Sequence, residues 1–179
     1  MEIPEATFLY TIAMLGMTFI GYSAIVMLLR QTLGRKLRAF DVLFAHVYME
    51  FGLIVGMGAM LPPLLMFWEL SRVMAWRASS GRVGIPLLLF ALTYPARRQA
   101  ASGEPTPLYV RVNVSFVLVI SLILLITATG VLRERSGAVF LSALTAFLIF
   151  AVGTWLRALS LVLARTSKGS DSKRMDTAG

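Results

Sequence analysis

The chain has no cysteine and a single histidine among its 179 residues. The first absence excludes disulfides, thiolate metal sites, iron–sulfur clusters and cysteine nucleophiles together. The second excludes a His-rich metal centre and bis-histidine haem ligation. Acid is scarce too. Only 9 Asp and Glu stand against 17 Lys and Arg, and Asp41 is the one aspartate before the C-terminal tail, so the paired aspartates of an aspartyl site are missing. No HExxH or GxSxG motif occurs, and Ser23, in Gly21-Tyr22-Ser23-Ala24, lacks the glycine motif and general base of a serine nucleophile. These absences predict a protein that is not an enzyme and carries no cofactor and no metal.

What the chain does have is apolar length. It is 58% hydrophobic and 15% charged, with a mean hydropathy of +0.78. Several of its apolar runs reach the roughly 20 residues that cross a bilayer as a helix. The runs are continuously apolar and do not alternate, which excludes a β-barrel. The predicted fold is all-α: a polytopic transmembrane helix bundle of about five spans, with the N-terminus outside and the C-terminus cytoplasmic. The expected spans are 8–29, 42–65, 70–94, 112–132 and 138–164, within one transmembrane domain over 1–165. A disordered cytoplasmic tail is expected over 166–179. The first run is too long for a cleaved signal peptide and lacks its basic start.

The third span is ambiguous. Its purely apolar part, Val83 to Tyr94, is too short to cross. Extending it back to Leu70 takes in Arg72, Arg77 and Arg82. It is expected to be either a tilted or broken span, interrupted near Ser79-Ser80-Gly81 and at Pro86, or an interfacial helix followed by a re-entrant segment. Charge asymmetry favours the span. With five crossings the inner side holds Arg30, Arg35, Lys36, Arg38, Arg97, Arg98, Arg111, Arg165, Lys168, Lys173 and Arg174, against Arg72, Arg77, Arg82, Arg133 and Arg135 outside. The basic residues of the net charge of +8 thus cluster at helix ends, where they set topology. Arg30, Arg35, Lys36, Arg38, Arg97 and Arg98 are therefore expected to meet anionic lipid, and nucleic acid is not an expected partner.

The second apolar stretch, Asp41 to Leu61, is the one that carries ionisable groups, and Pro62-Pro63 is expected to close it. His46 and Glu50 stack on one face, with Leu53 and Met57 above them. Gly52 and Gly56 form a small-xxx-small pair that lets another helix approach, as Gly16 and Gly21 do in the first stretch. Glu50 lies about 12 Å into its helix, and Arg157 about 12 Å from the inner end of the fifth. A charge in hydrocarbon is rarely left alone, so Glu50 is expected to pair with Arg157, assisted by His46.

The pattern Phe19-Ile-Gly-Tyr-Ser-Ala-Ile25, then Leu29-Arg30, Arg38-Ala-Phe-Asp41 and Tyr48-Met-Glu-Phe-Gly-Leu53 resembles small polytopic proteins of the bacterial inner membrane of uncharacterised function. The resemblance implies that membrane and an acidic residue at the start of the second helix, with a buried glutamate beyond. It implies no activity. Two expectations remain. One is a non-enzymatic assembly or accessory component that packs through its glycines as a homo-oligomer or with a membrane partner complex. The other is a small transporter or channel subunit with a proton or ion path at Glu50, His46 and Arg157.

Overall fold

The structure, a computed structural model, describes residues 5–32, 39–103 and 105–176, with side-chain positions for all of these except 26, 29–31, 40–41, 133 and 158–176. Arg35, Lys36, Arg38 and the side chain of Arg30, expected at the inner surface, lie outside these described residues. Five long helices follow one another: α1 (Ala6–Thr32), α2 (Ala39–Phe67), α3 (Arg72–Ser102), α4 (Leu108–Thr129) and α5 (Ser136–Asp176). A 3₁₀ turn, Arg133–Arg135, leads into α5. Four of the helices contain stretches long and apolar enough to cross a membrane: Ala6–Ile25, Val42–Phe67, Leu108–Thr129 and Ser136–Arg157. α3 is the fifth and most polar, and it packs between α2 and α4.

Residue contacts fix the directions. Gly16 of α1 lies against Gly52 and Gly56 of α2, Phe51 of α2 against Phe90 of α3, and Gly84 of α3 against Leu124 and Leu125 of α4. Each pair of sequential helices is therefore antiparallel. α5 descends beside α2 and α3, with Trp76 touching Phe140 near one end and Phe51 touching Phe147 further down. The core is made of Leu9, Val55, Leu87, Val117, Leu124, Phe140, Leu144 and Phe147, all essentially inaccessible.

The prolines do not end helices as the sequence predicts. α2 continues through Pro62 and Pro63 to Phe67, and α3 is one helix through Pro86 and Pro95, with no break at Ser79–Gly81. A proline removes one backbone hydrogen bond and presses on the carbonyl a turn earlier, but packed neighbours let a membrane helix run on past it. Pro62 and Pro63 are buried among such neighbours. Ser79, Ser80, Gly81 and Gly84 act as a narrow strip along α3. Ser80 Oγ folds back to the Trp76 carbonyl at 2.8 Å, and a Cβ on Gly84 would come within 3.1 Å of Leu125. α3 thereby extends to Ser102 through residues expected to be loop. α5 likewise stays helical to Asp176, across the segment expected to be a disordered tail. Extending a formed helix fixes one residue per hydrogen bond gained, which compositional bias against a packed core does not register.

α2 ends in a Schellman turn. Leu70 N–H donates to the Leu65 carbonyl at 3.2 Å and Glu69 N–H to Met66 at 3.1 Å, with Glu69 left-handed at φ 60°. Glycine adopts that conformation without steric cost. Glu69→Gly should therefore raise stability by about 0.5–1 kcal/mol in detergent unfolding.

The glycines separate into two kinds. A Cβ on Gly16 would sit 2.9 Å from the Gly56 nitrogen and 3.0 Å from the Gly52 carbonyl oxygen, whereas one on Gly21 would meet nothing within 4 Å. Gly16→Ala should cost about 1–3 kcal/mol by forcing α1 and α2 apart, and Gly21→Ala should be neutral or stabilising by up to about 1 kcal/mol. Thermal unfolding of the two variants side by side checks both values.

Candidate polar site at the Arg97 end

The site lies where α2 begins, α3 ends and α4 begins. On α3, Val83, Phe90 and Arg97 recur every seven residues and so share one face. That face looks onto α2, since Val83 fills the space beside Gly58 and Phe90 meets the Phe51 ring at 4.6 Å. Arg97 therefore arrives opposite Glu50. Its Nη1 and Nη2 donate to the two Glu50 carboxylate oxygens at 3.0 and 2.9 Å. This is the parallel fork that suits a guanidinium to a carboxylate. Both side chains are about one-third exposed, at 35% for Arg97 and 36% for Glu50.

Arg157 is thus not the fork partner of Glu50. Depth along a helix, on which that pairing was expected, does not specify direction around it. Tyr48 and Phe51 are the residues that α2 turns toward α5, with Phe51 edge-on to Phe147 at 4.8 Å and Tyr48 set against the Thr154 side chain. Glu50 stands two residues from Tyr48, a rotation of about 200°, which carries it to the far side. His46 lies on the exposed stripe of α2 with Leu53 and Met57, and Glu50 lies at the margin of that stripe, within reach of α3. Arg157 instead places its guanidinium over the Tyr109 ring, 5.4 Å from the centroid, at the start of α4.

An aromatic network crosses the bundle at this level. Tyr22 and Phe19 of α1 pack on Trp155 at 5.1 and 5.7 Å, and Phe19 also packs on Tyr48 at 5.7 Å. Tyr48 continues to Phe51, and Phe90 stacks on Tyr94 at 5.1 Å. The Tyr94 phenol lies within electrostatic reach of Arg98, Tyr109 and Arg97, and Tyr48 within reach of Tyr94 and Tyr109. Arg98 itself is buried, with 7% of its surface exposed. Sequence reasoning placed Arg97 and Arg98 among the lipid-facing basic residues. The seven-residue row on α3 is the signal that finds Arg97 beside α2.

The opposite end has its own polar contacts. Arg72 pairs with Glu5, joining the start of α3 to the start of α1. Arg77 donates from Nε to the Ala128 carbonyl at 3.1 Å and from Nη2 to that of Thr129 at 2.9 Å, so a cation caps the negative end of α4. Gly130, at φ 90°, leaves the room that this guanidinium occupies. Among the described residues no three His, Asp or Glu gather as metal ligands.

Glu50→Gln and Arg97→Gln should each lower stability by about 1–3 kcal/mol, with strong coupling in the double variant. Glu50→Gln combined with Arg157→Gln should be additive within about 0.5 kcal/mol. Thermal unfolding of the two cycles in detergent measures both outcomes, and coupling to Arg157 in place of Arg97 would overturn this geometry.

No known protein family, curated protein or solved structure matches this chain.

Proposed function

We propose that the chain is a five-span protein of the bacterial inner membrane, with its N-terminus outside, that works without catalysis as an accessory or assembly component. Support for a third crossing comes from α3. Arg77 and Arg97 stand twenty residues apart, a rise of about 30 Å, which is the thickness of the hydrocarbon layer. The side chains at its two ends are taken up at those levels by the α4 carbonyls and by Glu50. Arg82 lies one turn and a half below Arg77 on the exposed side, close enough to the surface for its guanidinium to reach the headgroups. Arg97, Arg98 and Arg111 then fall on the inner side, in keeping with the excess of positive charge expected there.

The observation that carries the non-enzymatic reading is the closed fork between Glu50 and Arg97. Both carboxylate oxygens are engaged by a group that keeps its charge at any working pH, so the pair serves to dock α2 on α3. The same economy applies to Gly16, Gly52 and Gly56. They are buried between α1 and α2 of one chain, so assembly with a second chain cannot use them.

Reconstitution tests this reading against a proton or ion path. Liposomes containing the wild-type chain or Glu50→Gln should show the same proton and cation leak as empty liposomes, while Glu50→Gln unfolds at a lower temperature. A pH-dependent flux in the wild type that Glu50→Gln abolishes would instead make the protein a transporter.

A further inference from the structure

Hydroxyls on these helices turn back on their own backbone. Ser80 Oγ donates to the Trp76 carbonyl and Thr127 Oγ1 to that of Ile123, both at 2.8 Å, and Thr145 does the same with Leu141. Ser79 departs from this habit. Its side chain is fully buried, and its Oγ has no hydrogen-bond partner among the described residues. A buried hydroxyl left unpaired costs stability, so such an atom marks a place where something else bonds to it.

The register of α3 against α2 fixes what Ser79 faces. Phe51 meets Phe90, and Gly58 lies against Val83, so seven residues forward on α2 match seven back on α3. Four more bring Pro62 level with Ser79. Four residues turn a helix by about 40° beyond a full revolution. Ser79 therefore stays on the side of α3 that Val83 turns to α2, and Pro62 on the side of α2 that Gly58 turns to α3. All of these residues are buried. Proline has no N–H, so the Gly58 carbonyl, which points along α2 toward position 62, loses its regular donor. One level of the α2–α3 seam thus carries two polar atoms without their usual partners, a hydroxyl on one helix and a carbonyl on the other.

We propose that this level is a binding site for one water molecule, which accepts from the Ser79 hydroxyl and donates to the Gly58 carbonyl. Serine hydroxyls and ordered waters are among the groups that satisfy a backbone opened by proline inside an apolar bundle. Water suits the site better than a direct bond, because Ser79 Oγ finds no acceptor within hydrogen-bond reach. A buried water needs at least two polar partners, and the seam supplies one from each helix. Gly58, Ala59, Ser79 and Ser80 add little bulk there. The water takes the place of the missing rung of α2, which runs helical past both prolines to Phe67.

The test is a double-variant cycle on the full chain, read by thermal unfolding in detergent, with water contact read by solid-state NMR in liposomes. Ser79→Ala should lower the unfolding midpoint, with a loss of about fivefold in the folded-to-unfolded ratio, the contribution of one net hydrogen bond. In a Pro62→Ala background the restored amide takes the Gly58 carbonyl, and Ser79→Ala should then be neutral or raise the midpoint. A higher midpoint for Ser79→Ala in the wild-type background would mean a hydroxyl that bonds to nothing. An equal loss in both backgrounds would mean one that bonds within α3. Either result overturns the proposal. NMR gives a measurement independent of the proline variant. Heavy carbon in glycine carbonyls and heavy nitrogen in alanine amides isolate two pairs, Gly58–Ala59 and Gly137–Ala138. Transfer from water protons should reach the Gly58 carbonyl in the wild type and vanish in Ser79→Ala, with the Gly137 signal unchanged. A Gly58 carbonyl without water contact in the wild type overturns the proposal whatever the variants do.

Discussion

A charged side chain has few places to go in an apolar surrounding, and among the described side chains α3, with five arginines, carries more of them than any other helix. Its arginines are what join the bundle. Arg72 reaches Glu5 of α1, Arg77 the last carbonyls of α4, and Arg97 the carboxylate of Glu50 on α2. Each contact ties α3 to a different neighbour, and each sits toward one end of the helix, leaving Val83 to Tyr94 to pack in the middle. Arginine suits this arrangement because its donors lie in a rigid plane and it keeps its charge. A lysine at position 97 could engage one carboxylate oxygen well, but not both in parallel.

Between these polar ends, close backbone approach and edge-on ring contacts share the work of packing. α1 meets α2 where neither has side chains, at Gly16, Gly52 and Gly56. In lipid such contact gives dispersion energy without any hydrophobic driving force. α5 is held differently. It is fixed through Phe140, Phe147 and Trp155, each in contact with an aromatic ring of another helix. Trp155 bridges Phe19 and Tyr22, so α5 touches α1 even though the two are farthest apart in sequence.

The two ends of the bundle differ in the balance of charge. Toward the Glu5 end, acids and cations meet in pairs or on helix ends. At the Arg97 end, the described acid, Glu50, is engaged by Arg97, while Arg157 covers Tyr109 and Arg98 lies near Tyr94. That grouping is a consequence of packing as much as of composition. Tyr48, Tyr94 and Tyr109 are remote in the chain, and only the antiparallel stacking of their helices brings them to one level.

Composition and apolar run length determined the helical class and located the four long apolar helices, because both the bilayer and the helix impose a minimum length on any apolar segment, whereas α3, whose purely apolar part is too short, was read from the distribution of its arginines. The helix ends were less legible. Pro62, Pro63, Pro86 and Pro95 read as stops when each is taken alone, and only their packed neighbours make them tolerable. The residues of the site were partly legible: Glu50 stands out as an acid in an apolar run, and its depth follows from counting. Its partner did not follow. Depth is a property of position along one helix and is written in the sequence, whereas facing depends on how each helix is rotated against its neighbours. The tertiary structure turned Tyr48 and Phe51 toward α5, which left Glu50 for α3 and gave the fork to Arg97. The same rotation turned Gly52 and Gly56 toward α1 and so spent on the chain's own packing a surface that looked free for another.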